Sequence, residues 1–346
     1  MKIMLVSALP PPAGGIAVWT ERYLEYCKKW AINVELVNIA LTGLRGKKIN
    51  DRTSLVDEFT RTLRVLRDMN RKLDETNPSV VHMNTSCGPF GIFRDLLCVK
   101  AAKKRRVPII LHFHCNVENR VHGKAGMWAL NKMIGMASKV LVLNSTSKSF
   151  VEPYSKTIPL IVPNFINGDF LTDDHIIRKE IREIVFVGHV QITKGCREIL
   201  EVAAKMPDIH FTLIGPVADE IATIPCPDNV YLAGPKEPNE VKWYLQKADL
   251  FLLPSYTEGF SLSLTEAMST GVPAIATDVG ANKDMLEDKG GVIIPVRDAD
   301  AIVKSIIELM DTNRRQQMSE WEIRKVRTYY LTETVMEQLI NIYHSV

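Results

Sequence analysis

The chain has 346 residues, 46% of them hydrophobic and 24% charged, which is apolar enough to bury a sizeable core and long enough for two domains. No run of about 18 apolar residues occurs, so no membrane-spanning helix is expected. The formal net charge is only +3. Six cysteines (Cys27, Cys87, Cys98, Cys115, Cys196, Cys226) are scattered without a C-x-x-C spacing, which argues against a disulfide framework and for a reduced, cytoplasmic protein.

In chain order, the opening MKIMLVSALP reads as a first core strand rather than a leader peptide. Apolar runs at 3–6, 34–37, 80–83, 109–113 and 140–143 are short and do not alternate, as parallel strands covered on both faces require. The segments between them have helical spacing. The clearest carries Leu55, Phe59, Leu63, Leu66, Met69 and Leu73, with Arg61, Arg64, Arg67, Arg71 and Lys72 interspersed. This amphipathic, basic helix reads either as a solvated outer helix or as one that faces an acceptor or a membrane. After the turn-rich stretch from Val162 to Gly168, a second set of apolar runs follows at 184–187, 211–214, 230–232, 250–253, 274–276 and 292–294. Residues 316–346 read as helical. Two successive βα sets predict an α/β protein of two Rossmann-like, doubly wound parallel-sheet domains facing across a cleft, divided near residue 170.

The small net charge hides a division at the same place. Residues 1–170 hold 25 Lys/Arg against 13 Asp/Glu, net +12, and residues 171–346 hold 18 against 27, net −9. A basic N-terminal half suits an anionic partner, whether nucleic acid, a phospholipid surface or a phosphorylated acceptor, or it serves solubility alone. No nucleic-acid motif is present, and the basic residues are not interleaved with aromatics as a stacking platform needs. Nucleic acid is therefore not expected as a partner.

The most informative segment runs from Tyr256 to Pro273. A turn at Glu258-Gly259 leads from a strand into a helix beginning near Ser261. Unpaired backbone N–H groups and the positive dipole end make such a helix start a cradle for a diphosphate. Glu258 and Glu266 lie eight residues apart, which places them on one side of that helix. A carboxylate there can accept hydrogen bonds from two vicinal sugar hydroxyls; alternatively, both glutamates simply favour the N-terminal half of a helix. The spacing resembles the E-x7-E signature of the family-four (group 1) retaining glycosyltransferases, which have the two-domain GT-B fold. The following Ala267–Thr277 stretch resembles that family's helix–turn–strand, and Gly280 stands at its small-residue turn.

The resemblance extends to Gly188-His189-Val190-Gln191-Ile192-Thr193-Lys194-Gly195. There the family has an arginine after the first glycine and a lysine five residues later, both neutralising the donor pyrophosphate. Lys194 holds the lysine position. His189 replaces the arginine, and a neutral imidazole supplies a hydrogen bond but no charge. Gly14 and Gly15, in the loop 10–16, resemble the family's glycines at the donor phosphate and acceptor. In 109–113 and its continuation, alternation points His112 and His114 to one face, and His114, nearer the strand end, resembles the family histidine at the transferred sugar. The resemblance also implies an acceptor-binding domain at 1–168, a donor-binding domain at 169–327, and a C-terminal helix at about 328–346 packing back on the first.

These residues imply the following roles. Lys194 holds the diphosphate, Glu258 the donor sugar and Glu266 the ribose, while His114 contacts the reacting sugar. Gly188, His189, Gly259 and the backbone of Phe260, Ser261 and Leu262 complete the donor site, with Pro235 at the nucleobase. The donor is expected to be a UDP- or GDP-sugar and the acceptor a glycan or a polyprenyl-diphosphate-linked sugar at the cytoplasmic membrane face, in cell-surface polysaccharide assembly. No metal or other cofactor is expected. A metal site among His82, His112, His114, Cys87 and Cys115 lacks ligand spacing, and Asp298-Ala299-Asp300 reads as a helix cap rather than a metal-binding D-x-D. Two rival readings are a catalytically silent nucleotide-sugar-binding protein, suggested by His189, and a nucleotide-sugar epimerase.

Overall fold

A computed structural model describes residues 1–11, 14–40, 55–173, 175–287 and 289–346. The described residues divide into two units, Met1–Asn164 with Thr332–Val346, and Phe165–Leu331. The chain thus passes between units at 164/165 and at 331/332, rather than at 168/169 and 327/328.

The first unit contains β1 (Lys2–Ser7), α1 (Gly15–Lys29), β2 (Asn33–Asn38), α2 (Leu55–Thr76), β3 (Val80–Thr85), α3 (Gly91–Lys104), β4 (Ile109–Phe113), α4 (Gly123–Met136), β5 (Lys139–Val142), α5 (Ser145–Val151) and β6 (Leu160–Ile161). Its six strands are ordered β2-β1-β3-β4-β5-β6, all parallel. The two-residue β6 was not predicted; a strand that short leaves no periodicity to read. Strands β3 and β4 are buried along their whole length, which explains their unalternating apolar runs.

The second unit contains β7 (Glu183–Val187), α6 (Cys196–Lys205), β8 (His210–Ile214), α7 (Asp219–Ala222), β9 (Val230–Gly234), α8 (Pro238–Lys247), β10 (Leu250–Leu253), α9 (Leu262–Thr270), β11 (Ala274–Thr277), α10 (Asn282–Leu286), β12 (Gly291–Ile294), α11 (Ala299–Glu308) and α12 (Thr312–Tyr329). The helical tail divides here: α13 (Thr332–His344) belongs to the first unit and packs on α1. The second sheet is ordered β12-β11-β10-β7-β8-β9 and is also parallel. Counted within its unit, this is the dinucleotide-binding order 3-2-1-4-5-6, in which the order of strand addition reverses between β7 and β10. In such sheets the ligand crevice opens at the carboxyl ends of the strands at the reversal.

The basic helix α2 buries Val65, Met69 and Leu73, while Leu55, Phe59 and Leu63 in its first turns are exposed. No helix among the described residues is long and apolar enough to cross a membrane.

Candidate functional site

In the second unit, the loops leaving β7 and β10 emerge on either side of the sheet's reversal point. After β7 the chain runs through Gly188 and a half-buried His189 into a 3-10 turn at Ile192–Lys194, and α6 starts after Gly195. Gly195 has φ 73°, and a Cβ there would lie 2.1 Å from the Pro254 carbonyl oxygen. Only glycine allows this approach. The Tyr256 amide donates to the Thr193 carbonyl at 3.0 Å, so the turn that carries Lys194 is clamped onto the segment that carries Glu258.

Glu258 is held from its other side. Gly280 has φ 57°, and a Cβ there would stand 2.4 Å from the Glu258 carbonyl oxygen. The Ala281 amide donates to the Gly259 carbonyl at 3.0 Å. Three residues on, Ser261 caps α9 by accepting from the Leu264 amide at 3.2 Å, while the amides of Leu262 and Ser263 precede the first helical hydrogen bond. Phe260 is buried against the Tyr330 ring. The result is that Lys194 Nζ lies 2.6 Å from Glu258 Oε1, with the two side chains 27% and 11% exposed. Sequence reasoning assigned these residues to one donor; the structure brings them into direct contact. Glu266 is half-buried in the middle of α9, and Pro235 is exposed just after the edge strand β9.

Sequence reading missed a supporting group. Tyr256 donates its hydroxyl to Glu198 Oε1 at 2.7 Å, tying the Glu258 loop to the first turn of α6. The Arg297 guanidinium lies 4.7 Å from the centre of the Tyr256 ring. Burial and the neighbouring Glu198 carboxylate push the Tyr256 hydroxyl up to about 12, so it stays protonated and donating. The tyrosine sits two residues before the recognised glutamate, but its partner, 58 positions away, leaves no local signal.

In the first unit, Gly14 is the N-cap and Gly15 the first residue of α1; Pro12 and Ala13 of the same loop lie outside the described residues. A Cβ added at either glycine meets nothing within 4 Å, so the backbone there is open to close approach. His112 and His114 do share a face, since both rings pack edge-on to Trp19 of α1.

The neighbouring histidines can be sorted by their hydrogen bonds. His112 Nε2 lies 3.3 Å from the Val162 carbonyl, which can only accept, so this nitrogen carries the proton. Burial holds His112 neutral, lowering it to about 3, and its Nδ1 is therefore an acceptor. His82 Nε2, 3.3 Å away, donates to it. His82 is also held neutral by burial, so its Nδ1 accepts from the Tyr343 hydroxyl. Tyr23 then donates to Tyr343 at 3.0 Å. His82 and His112 are thus fully engaged within the core. Neither ring nitrogen of His114 makes a hydrogen bond of ordinary geometry among the described residues, although the Asn164 side chain interacts with the ring, and burial with the two nearby imidazoles lowers its basicity. Both of those nitrogens are buried.

Among the described residues, no group of three His, Cys, Asp or Glu side chains is placed to hold a metal ion. Asp298 caps α11 by accepting from the Ala301 amide at 2.8 Å, and Asp300 pairs with Lys205.

Residues 169–325 match the family model of the glycosyl transferases group 1. The matched residues all lie in the second unit. A relative in Bacillus subtilis, the putative teichuronic acid biosynthesis glycosyltransferase TuaC, is 26% identical over 218 residues, which is 59% of this chain and 56% of TuaC. The chain therefore spans little more than half the length of this relative. Among solved structures, sucrose-phosphate synthase from Thermosynechococcus elongatus superposes with a TM-score of 0.79 at 15% identity, over 100% of this chain and 98% of that one. HepE of Anabaena, in complex with UDP, gives 0.76 at 14% identity over 100% of both chains. At these identities the likeness shows the fold, which is GT-B.

Proposed function

We propose that the chain is a retaining glycosyltransferase that moves a sugar from a UDP- or GDP-sugar to a glycan or lipid-linked acceptor in cell-surface polysaccharide biosynthesis. The observation that carries this reading is the contact between Lys194 and Glu258 at the sheet's reversal point, beside the capped N-terminus of α9. A cation and helix-start amides suit a diphosphate, and an adjacent carboxylate suits sugar hydroxyls. The UDP complex of HepE and the teichuronic acid role in TuaC's name lend support from similar proteins. In the proposed reaction the anomeric carbon loses its bond to the diphosphate oxygen and gains one to the acceptor oxygen on the same face. The acceptor proton passes to the departing diphosphate oxygen, Lys194 offsets its charge, and neutral His114 hydrogen-bonds the transferring sugar. Glu266 would hold the ribose, and no divalent ion takes part.

Calorimetry with UDP, GDP, ADP and CMP in EDTA tests the donor site: micromolar binding of one diphosphate, lost in Lys194→Ala, is expected. Binding of none of them would overturn the reading and favour a repurposed site.

The basic N-terminal unit is proposed to rest on an anionic membrane at its cytoplasmic face, where a polyprenyl-diphosphate-linked acceptor would lie. Helices α2 and α3 pack together, and Arg105, just after α3, donates to Asp74 and Asn70 of α2. Each exposes apolar residues near its start, Leu55, Phe59 and Leu63 on α2 and Phe93 and Leu97 on α3. Lys100 and Lys104 follow, exposed, along α3. Apolar side chains backed by cations fit an interface of acyl chains beneath anionic headgroups. The protein should sediment with phosphatidylglycerol vesicles at low salt and much less with phosphatidylcholine; equal recovery from both, or from neither, would remove the membrane from the proposal.

A further inference from the structure

The ion pair between Lys194 and Glu258 poses a problem for a bare nucleotide. Lys194 is the cation assigned to the diphosphate, yet its Nζ lies 2.6 Å from a carboxylate. The pair does not come apart by a simple loop swing. Thr193 is hydrogen-bonded to the Tyr256 amide, Tyr256 to Glu198, and Gly195 and Gly280 press against the Pro254 and Glu258 carbonyls. An incoming diphosphate must therefore exchange with the carboxylate on a fixed frame. The carboxylate it displaces is only 11% exposed, so water alone does not restore its lost partner.

We propose that Glu258 is a resident anion on Lys194 that makes the site select a sugar-bearing donor over the nucleotide diphosphate released after transfer. This rests on the donor-site assignment above. A donor brings its own compensation: as the diphosphate takes Lys194, vicinal hydroxyls of the sugar donate to Glu258, and every charge keeps a partner. A nucleotide diphosphate takes the lysine and leaves Glu258 buried without a donor, so it binds more weakly and leaves after transfer. Glu258 thereby acts on specificity and product release as well as on sugar binding.

The inference predicts that removing the carboxylate charge strengthens binding of ligands that lack a sugar. In Glu258→Gln, UDP, GDP and inorganic pyrophosphate should bind about tenfold more tightly than in the wild type, by calorimetry in EDTA. Pyrophosphate makes the test independent of which base the site prefers. UDP-glucose and GDP-mannose, compared with their diphosphates in the same variant, should lose any preference the wild type shows. Glu258→Ala serves as a second variant, with thermal unfolding confirming that each is folded. Unchanged or weaker binding of all three sugar-free ligands in both variants would overturn the resident-anion role. Lys194→Ala separates the two readings. If it abolishes binding while Glu258→Gln gains none, only the present inference fails; if it binds UDP, GDP and pyrophosphate as the wild type does, the donor-site assignment fails with it.

Discussion

Lys194→Ala is expected to lower kcat/KM for sugar transfer by about 10²- to 10³-fold, the range found when one preorganised group is removed from a developing negative charge. The leaving diphosphate gains charge as the anomeric bond breaks, and a cation fixed beside it stabilises the transition state more than the ground state. The frame around Lys194 supplies that fixation, because the turn bearing it is clamped through Gly195 and Thr193 to the β10 loop. His189 stands where the glycosyltransferase pattern that the sequence resembles has an arginine, and on the proposed reading more of the charge compensation would then fall on the lysine. Lys194→Arg keeps the charge in a planar, wider head and should retain a fraction of the activity that the alanine variant loses. Initial rates with the donor identified by calorimetry check this, with product anomeric configuration read by NMR. An alanine variant within threefold of wild type would remove Lys194 from the reaction.

Gly195→Val should destabilise the C-terminal unit by about 3 kcal/mol or more, the scale of forced backbone strain combined with overpacking. At φ 73° a Cβ falls 2.1 Å from the Pro254 oxygen and 2.7 Å from its carbonyl carbon. Neither side can yield easily: Pro254 directly continues the fully buried β10, and the Tyr256–Thr193 hydrogen bond joins the two segments. Relief requires the Lys194 turn to lift off, which would break the Lys194–Glu258 contact, so nucleotide binding should fall together with stability. Gly15→Ala is the matched contrast. A Cβ at Gly15 meets nothing within 4 Å, and alanine favours a helix, so stability should hold or rise slightly. Urea unfolding of both variants checks the pair; a Gly195→Val midpoint equal to wild type would contradict the close approach to Pro254.

Much of the fold was written in local pattern. Strands buried on both faces appear as continuous apolar runs, and β4 and β10 occupy the predicted residues. The start of α9 at a serine cap and the capping role of Asp298 were legible for the same reason, because a cap and its helix are neighbours in sequence. The two-residue β6 carried no periodicity, and Leu55, Phe59 and Leu63 of α2 look in sequence like a core stripe although they are exposed.

The amino-acid sequence by itself determined which residue types stand at the carboxyl ends of the strands: Lys194 after β7, Glu258 after β10 and His114 after β4. Tertiary structure alone decided how they are used. Residues 64 positions apart meet as an ion pair because the sheet order makes β7 and β10 neighbours, and no one-dimensional pattern encodes that order. Likewise, Val162 and Tyr343 come from distant parts of the chain to engage His112 and His82. Hydrogen-bond partners of a buried group are set by packing across the fold, and that packing gives three similar histidines different surroundings.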